Sequence, residues 1–147
     1  MIFTRELYLN QLIQKKQNGM VKIITGLRRC GKSFLLFNLF YNKLISQGVP
    51  ESHIIKIPLD NLDFIELRDK ISLYKFIKSK ITDNQQYYCF LDEIQLVKGF
   101  EEVLNSLLHI QNIDVYVTGS NSRFLVKDVI TEFRGRGDEI RLYPLSF

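Results

Sequence analysis

Apolar positions along this chain fall into two patterns. Five short runs are nearly unbroken: residues 21–25 (VKIIT), 53–58 (HIIKIP), 87–91 (YYCFL), 113–118 (IDVYVT) and 139–143 (EIRLY). Their length and their β-branched and aromatic content predict strands. Between them lie longer stretches with helical spacing. Leu7, Leu9 and Leu12 mark an N-terminal helix. Phe34, Leu35, Phe37, Leu39 and Phe40 give residues 32–46 an apolar face, and Gly48 and Pro50 stop that helix. Ile71, Tyr74, Ile77 and Ile81 do the same for residues 71–81, and further helices are predicted over 100–110 and 122–133. The polar stretch 61–70 reads as loop. Strands that are apolar throughout, rather than alternating, belong to a parallel sheet covered on both faces. Strand and helix alternate almost throughout, so the expected fold is a three-layer α/β domain around a mainly parallel sheet of about five strands.

Candidate chemistry begins where the first strand meets the second helix. Gly26-Leu27-Arg28-Arg29-Cys30-Gly31-Lys32-Ser33 matches G-x-x-x-x-G-K-[ST] in full, the phosphate loop of P-loop nucleotide-binding domains. Gly26 lets the chain turn sharply off the strand, and Gly31 takes backbone angles that a side chain resists. The loop N–H groups then face phosphate oxygens, helped by the positive end of the helix. Lys32 reaches the β- and γ-phosphates, and the Ser33 hydroxyl ligates Mg²⁺. This spacing implies ATP or GTP as ligand. Arg28 and Arg29 occupy variable positions and read as solvated charges near an anionic site, and Cys30 as a small tolerated side chain.

A phosphate loop alone binds; acting on the phosphate needs carboxylates. Residues 87–93 (YYCFLDE) run as an apolar strand into two acids at its C-terminal end, where open α/β sheets place ligands. Asp92 is the candidate Mg²⁺ carboxylate, and Glu93 the candidate group that orients the attacking water or takes its proton. Sixty residues separate Lys32 from Asp92. That leaves room for one strand and two helices, so the acids are expected on a strand beside the loop strand. The fourth run ends in Thr118-Gly119-Ser120-Asn121, whose Thr118 and Asn121 are candidates to fix a water near the γ-phosphate; Asn121 equally suits a helix cap. Arg134 and Arg136 precede the last strand, where a guanidinium could neutralise charge on the transferred phosphoryl group from the same or a neighbouring subunit. A solvated basic turn accounts for them equally.

Composition changes this picture little. The 147 residues suit one domain, with 46% hydrophobic and 24% charged residues and a net charge of +4. That mild excess suits a phosphate ligand; nucleic acid as a partner is allowed and not indicated. Cys30 and Cys89 form no cluster, which argues against zinc or a disulfide framework and for a reducing compartment, the cytoplasm. No apolar run of about 18 residues exists, so no membrane partner is expected. His53 and His109 stand isolated in the sequence and receive no role.

Taken in order, GLRRCGKS, YCFLDEIQ, VTGSNS and RGRGDEIRLYPLSF make the chain resemble the prokaryotic AAA-domain ATPases of the AAA+ superfamily over nearly its whole length. That resemblance implies ATP binding with Mg²⁺ and hydrolysis. It implies Lys32 and Ser33 in the phosphate loop, Asp92 and Glu93 as the acidic pair, Asn121 as a polar sensor and Arg136 as the family's GR arginine. Leu27 stands where the family usually has proline. Family members continue past PLSF, so residues 1–147 are expected to be a domain truncated at its C-terminus relative to them. Three readings are open: an ATPase coupled to a partner or a conformational change, a nucleotide-dependent switch with little turnover, and a small-molecule kinase. The third lacks an arginine-rich lid segment.

Overall fold

The computed structural model describes residues 2–25, 31–119 and 137–141, with side chains over 6–25 and 31–119. Its centre is a five-stranded sheet in the order β2-β3-β4-β1-β5. The strands are β1 (Val21–Thr25), β2 (Ile54–Pro58), β3 (Tyr87–Asp92), β4 (Ile113–Gly119) and β5 (Gly137–Arg141). Every neighbouring pair runs parallel, as the unbroken apolar runs predict. One expectation fails. The acid-bearing strand β3 is not beside the loop strand β1, because β4 lies between them and pairs with both. Sequence separation limits how many elements intervene but not the order in which they enter a sheet. The buried character of β4, which is covered from Asp114 to Gly119, suits an interior position.

Period-two alternation sends successive strand residues to opposite faces. On one face Ile23, Ile57, Cys89, Leu91, Val115 and Val117 meet Leu73 and Ile77 of α4 (Lys70–Lys80) and Phe100, Val103, Leu104 and Leu107 of α5 (Phe100–Leu108). On the other face Ile24, Tyr88, Phe90 and Tyr116 meet Leu12 of α1 (Ile2–Gln14) and Leu35, Leu36, Phe40 and Leu44. These two cores make the three layers. The helix expected over 32–46 is present as one run. Its middle, Leu35–Phe40, is wound as a π-helix between α2 (Lys32–Phe34) and α3 (Tyr41–Ser46). Its aromatic face rests on the sheet, with Phe40 at 5.7 Å from Phe90 and 4.8 Å from Tyr116, centroid to centroid.

Residues 61–70 are not the expected loop. Leu62–Arg68 forms 3-10 turns, opened by Asn61, whose side chain accepts from the Asp63 N–H, and followed directly by α4. A 3-10 helix repeats every three residues. Phe64 and Leu67, three apart, pack against the core, whereas Leu62 and Ile65 face solvent at 74% and 50% exposure. That period escapes a search for 3.6-residue spacing. The strand expected at 53–58 begins at Ile54, with His53 in a 3-10 turn, and the strand expected at 139–143 begins two residues earlier, at Gly137, and is described as far as Arg141. The predicted helix over 122–133 lies outside the described residues. No described helix is long and apolar enough to cross a membrane.

At the N-terminal edge of the sheet a buried polar network ties the turn after α1 to the strands. Lys22 Nζ donates to Asp114 Oδ1 and, at 3.1 Å, to Asn18 Oδ1. Asp114 Oδ2 accepts the Gln17 N–H at 2.8 Å and the Tyr116 hydroxyl at 2.7 Å. Both charged side chains are buried, and the ion pair is what makes a lysine tolerable there.

Candidate functional site

The site lies at the opposite, C-terminal edge of the sheet. After β1 the described chain resumes at Gly31, which has φ 84° and ψ 25°. Among the described residues a Cβ added there would meet nothing within 4 Å, and the left-handed backbone by itself favours glycine at this position. Gly31 caps the helix that follows, and its carbonyl accepts the Leu35 N–H at 2.8 Å. The turn therefore delivers Lys32 and Ser33 at the first helical positions, where the helix N-terminus favours anions. Lys32 is only 2% exposed.

Alternation puts Tyr88, Phe90 and Asp92 of β3 on the face that looks toward this helix. Phe90 pairs in register with Tyr116, and the same offset carries Asp92 opposite Thr118. The hydrogen bonds agree. The Ser33 hydroxyl lies 2.9 and 2.8 Å from the two Asp92 carboxylate oxygens, and the Thr118 hydroxyl donates to Asp92 Oδ1. Thr118 Oγ1 in turn accepts the Glu93 N–H at 3.0 Å. One hydroxyl on the intervening strand thus fixes both acids.

Burial raises the Asp92 pKa, the largest influence; the hydroxyls of Thr118 and Ser33 pull it back, and the nearby Glu93 and Asp60 charges push it further up. A carboxylate held above its ordinary range in this setting gains from a cation placed beside it. Oxygen donors converging from Ser33 and Asp92 are the hard ligand type that suits Mg²⁺. Among the described residues no group of three or more His, Cys, Asp or Glu gathers as a metal cluster.

Glu93 follows with φ 58° and ψ 53°, left-handed angles that are uncommon for a non-glycine residue. It is 6% exposed, and its Oε1 accepts the Gln95 amide at 2.6 Å.

The fold therefore brings Gly31, Lys32, Ser33, Asp92, Glu93 and Thr118 to one edge. Gly26, Leu27, Arg28, Arg29 and Cys30 lie outside the described residues, as do Asn121, Arg134 and Arg136. Thr118 has a part the sequence did not suggest: its hydroxyl donates to Asp92 and accepts from the Glu93 N–H, and so holds both acids. Gln95 closes the YCFLDEIQ segment that carries the resemblance, but the sequence alone assigns it no role. His53 is not isolated in space. Its Nε2 lies 3.2 Å from Asp83 Oδ2, and its ring stands edge-on to Tyr87 at 4.4 Å.

A glycine turn delivering lysine and serine to a helix start, facing a paired acid on a parallel strand, defines a P-loop nucleotide-binding domain of the ATPase type. The chain belongs to the AAA domain family, whose model matches residues 18–147. It is 36% identical over 147 residues to an uncharacterized protein of Haemophilus influenzae, covering 99% of this chain and 36% of that protein. It is 31% identical over 131 residues to one of Methanocaldococcus jannaschii, covering 86% of this chain and 27% of that protein. The chain thus spans about a third of the length of these curated relatives. Among solved structures it is similar to a chain of the Drosophila ORC complex bound to DNA, with TM-score 0.62 at 11% identity over 97% of this chain and 93% of that one. It is also similar to a DNA polymerase III gamma subunit-related protein of Thermotoga maritima, with TM-score 0.61 at 9% identity over 95% of this chain and 45% of that one. At such identities the likeness is one of fold.

Proposed function

We propose that this domain binds ATP with Mg²⁺ and hydrolyses it. The observation that supports this most is the meeting of the Ser33 hydroxyl with the Asp92 carboxylate beside Glu93. Residues 26–31 would cradle the phosphates through backbone N–H groups, and Lys32 would neutralise the terminal phosphates. Ser33 and Asp92 would hold Mg²⁺, which supplies charge neutralisation on the β- and γ-oxygens when bound. Glu93 would orient the attacking water. Asn121 as a sensor rests on the family resemblance, and Arg136 reaching a site shared with a second copy rests on the charge that develops on the transferred phosphoryl group. The relatives are about three times longer than this chain. In such a protein hydrolysis would drive a conformational change or a partner, and the acid strand and loop are the parts this domain contributes.

Mg²⁺-dependent phosphate release from ATP, measured at several protein concentrations for the wild type, Lys32→Ala and Glu93→Gln, tests the reading. Lys32→Ala is expected to lose nucleotide binding. Glu93→Gln is expected to bind ATP and to turn it over about 100-fold more slowly. Activity rising more than linearly with protein would support a shared site. A wild type that binds ATP but releases no phosphate would end the hydrolysis reading in favour of a nucleotide-dependent switch.

A further inference from the structure

We propose that Gln95 is a positioning residue for Glu93, fixing the direction of its carboxylate. Such a role presupposes the reading of Glu93 as the group that orients the attacking water. The backbone at Glu93 is already held. Its N–H donates to Thr118, its carbonyl accepts the Leu96 N–H at 3.1 Å, and the buried Ile94 and Val97 anchor the 3-10 turn that follows. A glutamate on a fixed backbone keeps three side-chain torsions. The Gln95 Nε2 contact with Oε1 at 2.6 Å reaches the far end of those torsions.

The orientation of the amide follows from chemistry. A carboxylate oxygen only accepts, so the Gln95 NH₂ must face it; the flipped amide would set two acceptors against each other. Gln95 Oε1 is thereby turned into a buried position where it has no partner. Two local costs meet at this turn, a left-handed backbone at Glu93 and an orphaned acceptor on Gln95. Moving Gln95 into solvent would relieve the second, but would remove its bond to Glu93 Oε1. What the arrangement secures is a fixed direction for that carboxylate at the C-terminal edge of the sheet.

The test compares phosphate release, ATP affinity and thermal midpoint in the wild type, Gln95→Met, Glu93→Gln and the double variant. Methionine keeps the length of the side chain and removes both the donor and the orphaned acceptor. Gln95→Met is expected to lower kcat about 10- to 100-fold, the usual loss when a supporting hydrogen bond to a functional group is removed. ATP affinity and thermal midpoint should stay at their wild-type values. In the Glu93→Gln background the same change should have no further effect, because residues that act as a unit are not additive. Unchanged or raised kcat in Gln95→Met, the same fold-loss in both backgrounds, or a fall in midpoint that matches the fall in activity would each overturn the proposal. Gln95→Asn, which keeps an amide on a shorter stem, serves the same comparison if the methionine variant does not fold. Glu93→Gln with wild-type turnover would instead remove the underlying reading of Glu93, a failure visible without Gln95 at all.

Discussion

Ser33 and Asp92 stand 59 positions apart in sequence, yet the hydroxyl of one lies within 2.9 Å of both carboxylate oxygens of the other. The serine stands at the start of the helix that Gly31 caps and the aspartate at the end of β3, a strand that does not pair with β1. β4 fills the gap between them and contributes Thr118, whose hydroxyl completes the hold on Asp92. The site is therefore a property of three strand ends and one helix start, and each can be tested separately.

Thr118→Val should be costly for its size. The hydroxyl is fully buried, donates to Asp92 and accepts from Glu93, so an isosteric methyl takes one of two hydroxyl donors from the Asp92 carboxylate and the Thr118 acceptor from the Glu93 N–H. A loss of about 1–3 kcal/mol in stability is expected, read from the urea midpoint, with Thr118→Ser recovering most of it. ATP turnover should fall in the valine variant and return in the serine variant. An unchanged midpoint would show that Thr118 does not bind the two acids together.

The Lys22–Asp114 pair at the other edge should show the asymmetry of buried charges. Asp114→Ala leaves an ammonium buried without its carboxylate and should cost about 3–5 kcal/mol. Adding Lys22→Met should restore part of that loss, because the stranded charge is then gone. Urea unfolding of the two single variants and the double variant measures the coupling, and additive losses would contradict it.

Asp69 caps α4, with Oδ2 accepting both the Ser72 N–H and the Ser72 hydroxyl at 2.9 Å. The backbone bond from Ser72, followed by its hydroxyl bond, holds the Asp69 carboxyl below the ordinary value of 3.8. A depressed folded-state pKa means that the stabilisation is present above 3.8 and is lost as pH falls through the lower folded value. The urea midpoint of Asp69→Ala should thus lie below that of the wild type at neutral pH, and the gap should narrow below pH 3.8. A gap that stays constant across that range would show that the charge on Asp69 is not part of the cap.

Cys89 should be chemically silent in the folded protein. It lies fully buried in the middle of β3, and burial pushes its thiol far above the ordinary range, so no thiolate is presented to reagents. In a Cys30→Ser background, thiol labelling should proceed only at the rate of unfolding and become complete in denaturant. Rapid labelling under native conditions would mean that β3 opens readily.

The strands, the helices and the main chemistry could be read directly because their signals are local. An apolar run such as VKIIT followed by a glycine turn, lysine and serine needs only neighbouring residues to be recognised, and the same holds for YYCFL ahead of Asp92 and Glu93. Where the period was unusual, as in the three-residue repeat of Phe64 and Leu67, a local signal existed and a helical search passed over it. Gln95 stands within the quoted YCFLDEIQ, and its role escaped for another reason. Its contact with Glu93 is only two residues away, but it depends on the left-handed backbone that the Thr118 bond and the buried Ile94 impose.

By itself, then, the sequence determined the alternation of strand and helix, the loop that delivers Lys32 and Ser33, and the acids at the end of an apolar strand. The tertiary structure alone decided that β4 separates β3 from β1, that Thr118 binds both acids, and that Lys22 meets Asp114 and His53 meets Asp83. The physical reason is the reach of each interaction. Backbone preference and hydrophobic period act over a few residues. Sheet order and buried polar partners are settled by which surfaces exclude water together, across separations of 25 to 92 residues that no local pattern records.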